Sequence, residues 1–200
     1  MFEDENYDFS FTAVSLRINE MQLVAKAIQA ESEVDYINDL GGGKSSTGKR
    51  MLREFKKRIS FLTQDEVDIM INGDLITKRQ IAFLSVCKTY AIIKDFAIEV
   101  LREKLMVYDY QISEGDYISF YRRKVDLNEK MEFLSLATEK KIRQVLFRIL
   151  AEAGLINDTK NRIIQPQFID LKMAKVIIDD NRNWLKIMLL SDMDIQKFKS

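Results

Sequence analysis

The sequence predicts a mainly α fold: a helical bundle around a long buried helix, with helix-turn-helix-like units at both ends and a short β-hairpin wing near 155–164. Three observations predict it. The 200 residues include one proline and seven glycines, three of them adjacent, so few sharp turns interrupt the chain. Residues 77–106 carry Ile81, Phe83, Leu84, Val86, Tyr90, Ile92, Ile93, Phe96, Ile98, Val100, Leu101 and Leu105 around most of a helix's circumference, as a buried helix requires. From Ser135 to Pro166, one helical face carries Ile142, Val145, Leu146, Ile149, Leu150 and Ala153. Gly154 then stands where a helix end favours positive φ. Leu155-Ile156 and Ile163-Ile164 flank a polar turn at residues 157–161 and read as a hairpin.

The elements follow in order. Glu3, Asp4, Glu5 and Asp8 mark residues 1–8 as a frayed acidic tail. A helix from Thr12 to about Ala30 carries Val14, Leu16, Ile18, Met21, Val24, Ala25 and Ile28, and a second, shorter one spans Glu31 to Leu40. Gly41-Gly42-Gly43-Lys44-Ser45-Ser46-Thr47 is a loop, and a helix runs from about Gly48 to Ser60. Thr63-Gln64-Asp65-Glu66 is a capping box that opens a helix to about Ile71. The long helix, from roughly Thr77 to Met106, is the spine, and residues 107–112 form an extended link. Ser113 caps the next helix, which ends near Arg122-Arg123-Lys124. A short helix at residues 129–136 makes the first half of the C-terminal helix-turn-helix. Its second helix begins at a cap on Ser135 or Thr138. Helices at about 170–179 and 184–190 finish the chain, with Trp184 as a core anchor. The division follows as an N-terminal unit 1–76, a spine and link 77–110, and a C-terminal winged-helix-like unit 111–200.

Composition excludes several chemistries. Without histidine the commonest general base and metal ligand is missing, and one cysteine, Cys87, permits neither an internal disulfide nor a Cys/His zinc site. Cys87 lies in an apolar run and reads as buried and inert. The acidic N-terminus is no secretory signal, and no stretch approaches the roughly 18 consecutive apolar residues of a membrane span. A cytoplasmic protein without membrane contact is expected. The loop 41–50 imitates a phosphate-binding P-loop: Gly43 and Gly48-Lys49 have the G-x4-G-K spacing. The next position must supply a hydroxyl and is Arg50, and no hydrophobic strand precedes the loop. Asp179-Asp180 and Asp192 with Asp194 follow no metal-binding pattern. No enzyme activity, metal or cofactor is expected.

Charge distribution says more than net charge, which is zero with 31 basic and 31 acidic side chains. Seven basic residues, Lys44, Lys49, Arg50, Arg53, Lys56, Lys57 and Arg58, and one acid, Glu54, lie between positions 44 and 58. Lys49, Arg50, Arg53, Lys56 and Lys57 fall within about 120° of one helix face at about 100° per residue. Like charges three and four apart repel, and tolerating that repulsion points to an anionic partner, against the simpler reading of a face neutralised by the protein's own acids. The second basic stretch is Lys140, Lys141, Arg143, Gln144 and Arg148, with Lys160 and Arg162 on the hairpin. Phe147 falls on its polar side and fits either a base or a neighbouring helix. Gln144 with Asn157 or Asn161 are the obvious base readers, so weak sequence preference is expected.

Four stretches carry a family likeness: YDFSFTAVSL, TGKRMLREFKKRISFLTQDEVDIMINGD, RQIAFLSVCKTYAIIKDFAIEVLREKL and LSLATEKKIRQVLFRILAEAGLI. In this order they resemble the BrxA family of bacteriophage exclusion (BREX) systems over about the first 165 residues. The resemblance implies a cytoplasmic, non-enzymatic, mainly helical component that binds double-stranded DNA and works with other proteins of the defence system. It points to Arg50, Arg53, Lys57 and Arg58 in the first basic helix and to Lys141, Arg143 and Arg148 in the second. A scaffold docking on an acidic partner protein and an RNA-binding protein remain the rival readings.

Overall fold

The apolar periodicities resolve into eleven α-helices among the described residues. The computed structural model describes residues 7–198; Glu3, Asp4 and Glu5 of the expected tail lie outside them, whereas Asp8 is placed and bonded. The helices are α1 (Ile18–Gln29), α2 (Ser45–Ile59), α3 (Gln64–Asn72), α4 (Leu75–Thr89), α5 (Ala91–Phe96), α6 (Glu103–Met106), α7 (Glu114–Leu127), α8 (Glu129–Glu132), α9 (Leu136–Glu152), α10 (Leu171–Asn181) and α11 (Asp192–Lys197). Short 3₁₀ turns occupy Ser10–Ala13 and Arg182–Met188, and π turns occupy Tyr36–Leu40 and Ala97–Arg102.

Local capping chemistry sets many boundaries as expected. Thr63 and Glu66 exchange side-chain and backbone hydrogen bonds in a capping box, and Ser113 and Asp116 form another. Ser135, rather than Thr138, caps α9 by accepting from the Thr138 amide. Gly154 follows at φ +77°, the left-handed turn that ends this helix. The acid pairs near the C-terminus serve the same structural purposes: Asp180 pairs with Lys88 at 2.9 Å, Asp192 with Arg102 at 3.0 Å, and Ser191 caps α11 through the Asp194 amide.

Several expectations change, among them the helix at 184–190, where the chain forms the 3₁₀ stretch Arg182–Met188 instead. The first helix is shorter than its apolar pattern: Val14 to Arg17 run outside helical geometry, and α1 starts only at Ile18. The span 31–40 is an irregular stretch followed by a π turn capped by Asp35. The spine is not one helix. It breaks at Tyr90, whose backbone is extended (φ −132°, ψ 102°), and resumes as α5, a π turn and α6. The break aims the fully buried Tyr90 hydroxyl at Glu54 and Ser10 and its ring at Phe11, 5.4 Å away. Tyr90 keeps its own backbone bonds across the break: its amide donates to the Val86 carbonyl at 2.8 Å and its carbonyl accepts from the Ile93 and Lys94 amides.

The hairpin wing is not formed. Among the described residues the segment after Gly154 holds only isolated antiparallel bridges, Ile156 with Ile164 and Gln111 with Ile163. Asp158 draws the Lys160 and Asn161 amides into its own turn, Arg162 takes a left-handed φ of 54°, and Pro166 has no amide to donate. Too few paired residues remain for a ladder. Nor are helix-turn-helix-like pairs set apart at the two ends. α2 packs on Tyr36–Leu40, α1 and α4, and α9 packs on Ser10–Ala13, so the N-terminal turn is shared by both basic helices. The apolar core runs as one cluster from Phe11 to Ile195.

Candidate nucleic-acid interface

α2 divides its basic residues between core and surface. Lys44, Lys49, Arg50, Arg53 and Lys56 are exposed. Arg58, counted with them from its sequence neighbours, is fully buried. Its guanidinium donates to Glu54 Oε1 at 2.9 Å, to the Ser15 carbonyl at 2.7 Å and to the Val14 carbonyl at 2.8 Å. The reason is angular: about 180° round the helix from Lys49, Arg58 falls on the side of Glu54 and Met51. It anchors the irregular 14–17 segment and is withdrawn from the phosphate-contact set. Gly48 is the second anchor. A Cβ there would lie 1.8 Å from the Tyr36 carbonyl oxygen, so only glycine lets α2 approach this turn.

Lys57 is half-buried, ion-paired with Asp8, and 4.8 Å from the Tyr90 ring centre. Burial alone would raise the Asp8 carboxyl, but hydrogen bonds from Lys57 and from the Ser10 amide outweigh it and hold the group below the usual carboxylate range. Burial, then the hydrogen bond to Glu54, pushes the Tyr90 phenol well above its ordinary value, so it stays a donor.

α9 separates its residues similarly. Lys140, Lys141, Gln144 and Arg148 are exposed, and Lys160 is exposed on the following loop. Arg148 pairs with Glu152 at 2.9 Å, and the Glu152 carboxylate also accepts from Ser15 Oγ and the Leu16 amide. Arg143 and Arg162 converge on Glu114, the latter at 3.4 Å. Arg162 covers the ring of Phe147 at 4.2 Å, and Phe147 is 3% exposed with its edge on Phe96. Phe147 therefore faces protein. Asn157 and Asn161 spend their side chains inside the loop, on the Ile163 amide and on Asp158, which leaves Gln144 as the exposed base-reading candidate.

The structure brings the two basic stretches together. A groove of about 570 Å³ is lined by Arg50, Arg53, Lys57 and the buried acid Glu54 of α2, by Lys141 of α9, and by the turn between them. A second groove of about 510 Å³ runs along α9 past Lys140, Gln144 and Arg148 to Thr159 and Arg162. Among the described residues no ion pair engages Arg50, Arg53, Lys140, Lys141 or Lys160. Lys56 turns the other way, into a groove with Glu31 and Glu33. Sequence reading missed Tyr117 and Tyr121, which line a third, apolar groove beside Lys140 and Arg143. Their i, i+4 spacing reads simply as core. Among the described residues no cluster of His, Cys, Asp or Glu is placed to hold a metal ion, and no helix is long and apolar enough to cross a membrane.

These features define a mainly helical protein with an exposed cationic face shared between two helices. Comparison with known proteins makes the class specific. The chain belongs to the BrxA family, whose model matches residues 5–181. A BREX protein BrxA from Bacillus cereus (strain H3081.97) is 29% identical over 107 residues, 53% of this chain and 54% of that protein. A BREX protein BrxA from Escherichia coli O9:H4 (strain HS) is 21% identical over 132 residues, 66% of this chain and 62% of that protein. In both cases the chain spans less than two thirds of the relative's length. The crystal structure of an uncharacterized protein from Magnetospirillum magneticum has the same fold, with a TM-score of 0.77 at 16% identity over 92% of this chain and 98% of that one.

Proposed function

We propose that this protein is a DNA-binding accessory component of a BREX phage-defence system that grips the phosphate backbone with little sequence preference and acts by binding rather than catalysis. One observation carries the reading: Arg50, Arg53 and Lys141, from helices almost a hundred residues apart, line one groove, with Lys140 and Arg148 in the next. A face of exposed cations with few counter-charges suits a polyanion, because neutralised phosphates release condensed counterions. Positioning contacts of this kind carry no sequence information, and of the three candidate base readers Gln144 is the one whose amide is not held within the loop after α9. The family membership supports a role beside other proteins of the defence system.

The test is binding of the full chain to unrelated duplex DNA across a salt series. If about five phosphates are neutralised, log K falls against log salt with a slope of about −4.5. The double substitution Arg53→Glu/Lys141→Glu is expected to flatten that slope and weaken binding by more than about a hundredfold at about 50 mM salt. Absence of duplex binding by the wild-type chain at that salt would instead favour docking of the basic face on an acidic partner protein. Preference for structured RNA over duplex DNA would favour an RNA-binding role.

A further inference from the structure

The third groove lies between α7 and α9 and has a volume of about 700 Å³, within the range of about 300–1,000 Å³ typical of small-ligand sites. Tyr117, Ile118, Tyr121, Val125 and Leu136 give it an apolar, aromatic lining. Tyr117 and Tyr121 stack at 5.8 Å, are 5% and 9% exposed, and both have hydroxyls without a hydrogen-bond partner among the described residues. Two orphaned buried hydroxyls side by side are unusual, since burying such a group unpaired is costly. Burial raises both phenols, Tyr121 to about 12, so both remain protonated donors. Lys140 and Arg143 line this groove and also the basic groove along α9, so the two adjoin. Glu139 adds an acceptor for an exocyclic amino group, and two more carboxylates, Asp126 and the Arg143-paired Glu114, also line the groove.

We propose that this groove holds a single nucleobase displaced from its stack, in DNA whose flanking phosphates lie on Lys140 and the basic face. The chemistry matches group by group. Apolar and aromatic walls take the faces of a base, a carboxylate and the two hydroxyls, opened to the groove by a small shift of their rings, take its hydrogen-bonding edge, and adjoining cations take the phosphates on either side. This inference rests on the DNA-binding reading above. It adds that the protein favours DNA with an unpaired base, whose unstacking energy is already spent.

The experiment compares the full chain on two duplexes that differ by one unpaired nucleotide, with 5-iodouracil at that position for photocrosslinking. The duplex with the unpaired nucleotide is expected to bind about tenfold more tightly, in line with the worth of one stacked base. Tyr117→Phe and Tyr121→Phe each remove a hydroxyl without removing volume. Each is expected to lower that preference about threefold to tenfold while leaving paired-duplex binding unchanged and the melting temperature unchanged or raised, since an unpaired buried hydroxyl is removed. Ile118→Trp fills the groove and is expected to abolish the preference, and the crosslink should fall on the peptide holding Tyr117 and Tyr121. Equal binding of the two duplexes, with paired binding intact, overturns the base site and leaves the phosphate-binding face standing. A preference that survives all three substitutions, or a crosslink elsewhere, also overturns it. Failure of the wild-type chain to bind either duplex removes the phosphate-binding face and the base site with it.

Discussion

Arg58 and Arg53 stand five residues apart on one helix and are expected to fail in opposite ways. Replacing Arg58 with alanine deletes three hydrogen bonds at 2.7–2.9 Å, leaves the Glu54 carboxylate, which is 4% exposed, with the neutral donors Tyr90 and Ser10 but no counter-charge, and takes the donor from two carbonyls. Breaking a buried ion pair by removing one partner destabilises by about 3–5 kcal/mol, because the remaining charge keeps its desolvation penalty. At about 2–4 °C per kcal/mol for a chain of this size, the midpoint falls by about 6–20 °C. Arg53→Ala removes an exposed side chain with no ion pair, so its stability stays within about 0.5 kcal/mol of wild type. Its effect belongs to binding: one lost phosphate contact reduces the salt slope by about 0.9. Urea denaturation followed by helical circular dichroism measures the first quantity, and a salt titration of DNA binding measures the second. An Arg58→Ala protein within about 1 kcal/mol of wild type would refute the buried-anchor assignment, since no relaxed exposed arginine could be worth more than that.

Three further outcomes are expected. Asp8→Asn releases Lys57 to the basic face and steepens the salt slope by up to about 0.9; an unchanged slope would show that Lys57 takes no part. The Asp8 carboxyl is depressed in the folded protein, so its contribution is present above its unfolded pKa and lost as pH falls through the folded value. Wild type should therefore lose stability relative to Asp8→Asn only below the normal carboxylate range, as thermal melts across an acid series would record. Gly48→Ala drives a methyl group into the Tyr36 carbonyl and should destabilise by about 1–3 kcal/mol in urea unfolding; a neutral result would mean that α2 can withdraw from this turn. Phe147→Ala removes a ring packed on Phe96 and Tyr117 and should cost about 3–5 kcal/mol in the same assay, whereas a base-stacking Phe147 would leave stability untouched.

What could be read ahead was local. The capping box at Thr63 and Glu66, the cap on Ser113 and the left-handed Gly154 all form as their spacing requires, because each depends on atoms within a few residues. The apolar face of α9 was legible for the same reason: period 3.6 places Ile142, Val145, Leu146, Ile149 and Leu150 on one side whatever they pack against. The spine misled because an all-round apolar pattern fixes burial and not continuity. Its break at Tyr90 answers to Glu54 and Ser10, 36 and 80 residues away. The wing misled because two short apolar pairs around a polar turn mark a reversal of the chain without ensuring a ladder.

The sequence by itself determined that the chain is helical, where several helices start and stop, that its cations cluster in two stretches, and the family likeness those stretches carry. Only the tertiary structure decided which cations meet water and which meet each other. Charge in a sequence is a property of single residues, but exposure depends on the surface that folds over each of them. The Val14 and Ser15 carbonyls bury Arg58, while the Ser10–Ala13 turn sets Lys141 beside Arg50 and Arg53. Those contacts span dozens of residues, beyond the reach of helical periodicity.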